Sequence, residues 1–270
     1  MKIKSPFSIL ITLCFCLTSI PALAQFGPRG PGMAAKAPSF TGPMAKIFGN
    51  QPGFSADLEI QSSIGSSDEK TTLPGKLAFA DPKSRVEMDL SAGRRGSTLG
   101  AADQMKAMGM GQTIIITRPD LKLQYMINPT LKAYVEQPLT DPEATKPKDD
   151  FKVETTLITR ENVDGHDCEK NKVEITDKEG NKTILNAWNA IDLDKFPVKI
   201  EQTQNGSLTT MLFKNIKLTK PDGALFEPPA DFIKYNSYQE MFRTEMMKKI
   251  GNGQGVPGRP VPEPPKKTEQ

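Results

Sequence analysis

The sequence predicts a mainly β fold: one strongly curved, partly closed antiparallel sheet of about ten strands, covered by one or two helices. Three observations predict it. Apolar and polar residues alternate with period two through most of 54–218. Pro, Asn, Asp and Gly interrupt that alternation at short intervals, as turns between antiparallel strands do. Apolar residues at helical spacing are confined to one segment near the C terminus.

The clearest stretch is Thr113 to Leu139. Ile114, Ile115 and Ile116 form a β-branched run, Arg118-Pro119-Asp120 makes a turn, and Leu121, Leu123, Tyr125 and Ile127 recur at period two. Asn128-Pro129-Thr130 is a second turn, after which Leu131, Ala133 and Val135 resume the alternation. Side chains on a strand point alternately to opposite faces, so this pattern describes a meander with one buried face.

Upstream, Lys2 and Lys4, an apolar run from Phe7 to Ile20 and the triplet Ala22-Leu23-Ala24 read as a signal peptide, 1–24, removed on export. The run is shorter than the roughly 20 residues that span a bilayer. The expected protein is therefore periplasmic or secreted, and not membrane-spanning after cleavage. Cys14 and Cys16 fall inside the apolar run, so Cys168 is the one cysteine left, and no disulfide can form within the mature chain. The formal net charge of +3 includes Lys2 and Lys4. A nearly neutral remainder gives no electrostatic reason to expect nucleic acid as a partner.

Residues 25–53 are dense in Gly, Pro and Ala and read as a flexible leader, with a helical turn near Met44 to Phe48. The β domain is expected over 54–234. It opens with Phe54, Ala56, Leu58 and Ile60 alternating with Ser55, Asp57, Glu59 and Gln61. A polar hairpin at Gly65 to Glu69 leads to a strand with Leu77 and Phe79, and Asp81-Pro82-Lys83 turns into one with Val86, Met88 and Leu90. Gly93 to Gly111 breaks the rhythm with good helix formers and three methionines, predicting a short helix near Thr98–Met108. After the polar loop Thr140–Asp150, strands are expected at Lys152–Leu157, Cys168–Thr176, Lys182–Trp188, Val198–Thr203 and Leu208–Leu218. Val163-Asp164-Gly165 and Asn205-Gly206 supply hairpin turns. About ten strands is near the limit for an open sheet, which predicts curling. A C-terminal amphipathic helix over 235–250 carries Tyr238, Met241, Phe242, Glu245, Met246 and Ile250 on helical spacing, with Asn236 or Ser237 as its cap and Gly251 as its stop. Residues 251–270 read as a disordered Pro-rich tail.

Several motifs stand in a telling order. They are Arg118-Pro119-Asp120, Asn128-Pro129-Thr130-Leu131-Lys132-Ala133-Tyr134, Val163-Asp164-Gly165-His166-Asp167-Cys168-Glu169-Lys170, Trp188 before Leu193, Pro197-Val198-Lys199-Ile200, and Phe226-Glu227-Pro228-Pro229. This set resembles the DUF4412 family of exported bacterial proteins, related in fold to the periplasmic lipoprotein carriers. The resemblance implies a bent antiparallel half-barrel whose concave side is apolar, covered by helices and able to shield acyl chains. Two departures stand out: Asn171 occupies a position expected to be aromatic, and the methionine-rich insert has no counterpart. No arginine matches the one that tunes acyl release in the carriers.

Catalytic chemistry finds little support. His166 is the only histidine, so a metal site would need Cys168 and distant carboxylates, and a Ser-His-Asp triad would have to use His166. His166 and Cys168 project to one side of a strand, but adjacency there does not supply a third, orienting group. Period two from Cys168 through Lys170 and Lys172 puts the thiol on the polar side. No cofactor, no metal and no enzymatic activity is expected. If the strand faces line a cavity, the lining set is Phe54, Leu58, Ile60, Leu121, Leu123, Tyr125, Val198 and Ile200. Met105, Met108 and Met110, with Met241 and Phe242, would form an adaptable lid. The expected role is a binding protein for a lipid, another apolar ligand or an acylated protein. The alternative is an envelope protein-interaction module with a filled core, docking a partner by its sheet edge or its tail.

Overall fold

The computed structural model describes residues 40–63, 70–92, 101–140, 142–204 and 206–251. The expected signal peptide, residues 25–39 of the leader, the hairpin at 65–69, the start of the methionine segment at 93–100, Asn205 and residues 252–270 lie outside the described residues.

Among the described residues, twelve strands build one curved sheet. One meander comprises β1 (Gly53–Ser63), β2 (Lys70–Ala80), β3 (Lys83–Asp89), β4 (Gln112–Arg118), β5 (Leu123–Asn128) and β6 (Ala133–Pro138). A second comprises β7 (Lys152–Val163), β8 (His166–Thr176), β9 (Lys182–Ala190), β10 (Pro197–Gln204) and β11 (Ser207–Lys217). Antiparallel pairing of β1 with β11 joins them. The twelfth strand, β12 (Ile233–Tyr235), lies parallel to β6 at one edge and is too short to show alternation in the sequence. Asp164 and Gly165 both take positive φ, 51° and 88°, between the paired residues Val163 and His166. That is the two-residue turn an Asp-Gly dipeptide favours.

The register defines the two faces, because directly opposed residues share one. One row runs Ala56, Leu77, Val86, Ile115, Met126, Val135, Tyr235. Another runs Leu73, Ile60, Met211, Ile200, Ala187, Asn171, Leu157. These rows lie on the inner face, which holds the largest core. The outer face is not uniformly polar. Ile116, Tyr125 and Ile127 are buried there beneath Phe226, and Cys168, Trp188, Ala190 and Val198 form a further cluster. The isoleucine run 114–116 thus serves both faces, and the expectation of one buried face fails for the central meander.

Four α-helices and three single 3-10 turns complete the described fold, the α-helices being α1 (Pro43–Ile47), α2 (Ala101–Ala107), α3 (Pro142–Thr145) and α4 (Tyr238–Gly251). Of the two cap candidates, Asn236 and Ser237, it is Ser237 that caps α4. Its Oγ accepts from the Glu240 N–H at 3.1 Å, and the Glu240 carboxylate reaches back to accept from the N–H of Asn236, the residue before the cap, at 3.1 Å. No helix among the described residues is long and apolar enough to cross a membrane.

Candidate functional site

The inner face presents Phe54, Leu58, Ile60, Leu77, Phe79, Ile200, Met211 and Phe213, all buried. What buries them is the part of the leader expected to be flexible. Phe40, Ala45, Ile47 and Phe48 are themselves buried in this core. The Phe48 ring sits among five others: Phe54 at 4.6 Å, Phe79 at 5.5 Å, Phe196 at 5.7 Å, Phe213 at 5.9 Å and Phe40 at 6.1 Å. Gly and Pro dominate up to Pro38, but Phe40, Ile47 and Phe48 are large apolar side chains next to an uncovered sheet face, and their burial offsets the ordering of a short segment.

The segment is seated by backbone approach. Gly42 takes φ 58°, and a Cβ there would stand 2.3 Å from the carbonyl oxygen of Glu143 in α3. Only glycine tolerates both conditions. Lys46 reaches Asp149 at 3.6 Å. The far end of the same face is covered by α4, where Met241 is buried against Leu131, Ala133, Val135 and Tyr235 and Phe242 packs beside it. The Tyr235 hydroxyl donates to Glu245 at 2.5 Å and accepts from Lys248 at 3.3 Å. Met105, Met108 and Met110 are half-buried.

The predicted lining residues do not all meet. Phe54, Leu58, Ile60 and Ile200 share the main inner core. Leu123 and Tyr125 face the opposite side of the sheet under Phe226. Leu121 lies in the turn before β5, where Lys122 has φ 55°, and is 48 % exposed. Val198 sits at a register shift in β10 and packs with Cys168 and Trp188 instead. Pattern within one strand cannot reveal this, because turns and bulges reset which parity faces inward.

Two resembling motifs, far apart in sequence, meet as a clasp. Arg118 donates from Nε and Nη2 to the Asp120 carboxylate at 2.9 and 2.8 Å, to the Phe226 carbonyl at 3.3 Å, and to Glu227. Its guanidinium is buried, and these bonds hold it charged well above its ordinary range against the opposing effect of burial. Arg118 bonding, strengthened by the Arg118 and Lys83 charges, pulls the Asp120 carboxyl below the usual carboxylate range. The clasp fixes the segment that presents Phe226 to the outer face. In the second turn, Asn128 donates to the Gly109 carbonyl and accepts from the Leu131 N–H at 2.9 Å, tying the methionine segment to the meander.

Cys168 shares its face with Lys170 and Lys172, as parity predicts, yet it is 1 % exposed because Trp188, Ala190 and Val198 cover the outer face there. Burial pushes its thiol up. The thiol donates to the main-chain carbonyl of His166 at 3.3 Å, while the His166 ring pairs with Asp192 at 2.7 Å. Imidazole and thiol therefore do not form a nucleophilic pair. Trp188 donates its indole N–H to Glu161 and lies under Lys170 and Lys199, with ammonium groups 4.6 and 4.0 Å from its ring. An open outer hollow of about 370 Å³ beside it has mixed charge, with Glu161, Glu201 and Lys199 in its walls. Glu143, Asp177 and Glu179 converge closely enough to hold a cation, but the Lys146 ammonium already sits among them at 2.6, 3.0 and 2.5 Å.

A family model described as "Domain of unknown function (DUF4412)" matches residues 75–193 and 173–232, more than half of the chain. The chain belongs to the DUF4412 family. Both halves of the Arg118–Glu227 clasp, the Asn128 turn and the Cys168–Trp188 cluster fall inside the matched span. No curated protein matches the chain. Among solved structures, it is similar to a LolA superfamily protein from Nitrosomonas europaea (11 % identity, TM-score 0.38, covering 68 % of this chain and 94 % of that one). It is also similar to the Mycobacterium tuberculosis lipoprotein LppX (8 %, 0.37, 64 % and 91 %) and to LprF from Mycobacterium bovis (11 %, 0.32, 66 % and 91 %). Likeness at this level supports no conclusion about the function of this chain.

Proposed function

We propose that the protein is an exported, non-enzymatic binding protein whose inner sheet face takes an apolar ligand, an acyl chain of a lipid or of an acylated protein, when the segment Phe40–Phe48 leaves it. One observation supports this reading: among the described residues, the main apolar surface of the sheet is covered by a nine-residue piece of chain preceding the first strand, rather than by a second sheet or a long helix. A cover of that kind is exchangeable in energy. Burying Phe40, Ile47 and Phe48 contributes on the order of 5–9 kcal/mol, and a chain of roughly ten buried methylenes contributes about 8 kcal/mol. The half-buried methionines Met105, Met108 and Met110 and the end of α4 are suited to adapting around such a chain.

The test is titration of the purified protein with a fluorescent fatty acid. Saturable uptake is expected, and it should be stronger in Gly42→Ala, where the new methyl collides with the Glu143 carbonyl and unseats the cover. If neither the wild type nor a folded Gly42→Ala variant takes up the probe, the inner face is only a core.

A further inference from the structure

Among the described residues, β7 ends the sheet and pairs on one side only, with β8. It is twelve residues long, contains no proline, and is exposed along its whole length except at the half-buried Val163. Leu157 and Ile158, at its middle, are 52 % and 53 % exposed. A long edge strand with free main-chain groups and apolar side chains at its centre is a template for another strand.

We propose that this edge binds the same edge of a second copy, antiparallel, forming a twofold dimer with one continuous sheet. The register follows from the bulge. Ile158 is the extra residue between Leu157, opposite Asn171, and Thr159, opposite Lys170. A bulge puts its two residues on one face, so Val153, Thr155, Leu157, Ile158, Arg160 and Asn162 point inward and their neighbours outward. Only pairing about the Leu157–Ile158 bond keeps every face consistent between two copies. In that register Leu157 of each copy meets Ile158 of the other at the axis, covering the four exposed apolar side chains, and Thr156 meets Thr159. The strand is neutral, with Lys152 and Arg160 balancing Glu154 and Glu161. Glu154 would face Glu161 across the pair. Within each copy Glu154 is neutralised by Lys152 at 2.7 Å, and Glu161 has Lys170 at 4.0 Å and the Trp188 N–H. A single strand pair buries less surface than a standard stable interface, so the dimer is weak and concentration-dependent, dissociating in the micromolar range or above.

Sedimentation velocity on the protein purified from cells, across a concentration series, tests this. The wild type should show a reversible monomer–dimer equilibrium. Glu154→Lys, which turns two like-charge contacts into opposite ones, should tighten it by about threefold or more. Ile158→Lys should leave only monomer while keeping the wild-type melting curve, since Ile158 is exposed in the monomer. A wild type that stays monomeric at the highest concentration, or a dimer unaffected by Ile158→Lys, overturns the proposal. A dimer weakened by Glu154→Lys overturns the register.

Discussion

Replacing Phe48 by Ala separates a removable cover from an integral core. The ring lies within 6.1 Å of five other aromatic rings, so its removal leaves a large void in a packed cluster. Truncation of a buried Phe costs about 3–5 kcal/mol. If the segment docks and releases as a unit, that cost falls on docking alone, and the open population rises by roughly two to three and a half powers of ten. Hydrogen exchange reads this directly. The amides of Ala45, Gly49 and Gln51, bonded to the carbonyls of Gly42, Lys46 and Phe48 at 3.2, 3.1 and 3.3 Å, should exchange faster by that factor. The β1 and β2 amides should keep most of their protection, because their partners lie within the sheet. Apparent affinity for a fatty acid should rise with the open fraction until release is complete. If β1 and β2 amides accelerate in step with those of α1 and ligand uptake does not change, the segment is part of one cooperative core, and the reasoning from an exchangeable cover is wrong.

Other outcomes follow from the clasp and the outer face. Arg118→Ala should destabilise the protein by about 1–3 kcal/mol, below the range for fully buried pairs, because Asp120 and Glu227 are partly exposed; urea titration measures it, and an unchanged midpoint would show that Phe226 packing alone holds the segment. The Asp120 carboxyl is lowered in the folded state, so its contribution is complete above the unfolded value near 3.9 and fades as pH falls through the lower folded value. The stability gap between wild type and Arg118→Ala should therefore narrow under strong acid, and a gap that is constant down to that pH contradicts the assignment. Cys168, buried and with its thiol pushed up, should react with maleimide only through unfolding; rapid stoichiometric labelling of native protein would place it elsewhere. Trp188 faces away from the inner core, so its emission maximum should stay fixed while the inner face fills, and a large shift would locate the ligand on the outer face.

What the sequence determined by itself is local. Period two identified nearly every strand, and Asp164-Gly165 and a cap at Asn236 or Ser237 set a turn and a helix start through short-range bonding that each residue type carries with it. Parity even put Cys168 with Lys170 and Lys172. What only the tertiary structure decided is which parity faces inward, and what covers each face. Phe54 and Tyr125 both belong to clean alternations, yet register sends them to opposite sides of one sheet, and the shifts at Ser55/Asp57, Leu157/Thr159 and Pro197/Lys199 reset the count between neighbours. Cover is likewise non-local: Phe226 reaches the outer face through Arg118, 108 residues away, and Phe48 reaches the inner face from a segment that composition marked as leader. Alternation is a property of one strand and its pleat, whereas burial depends on which distant side chains find the uncovered surface, and that follows only from the closed fold.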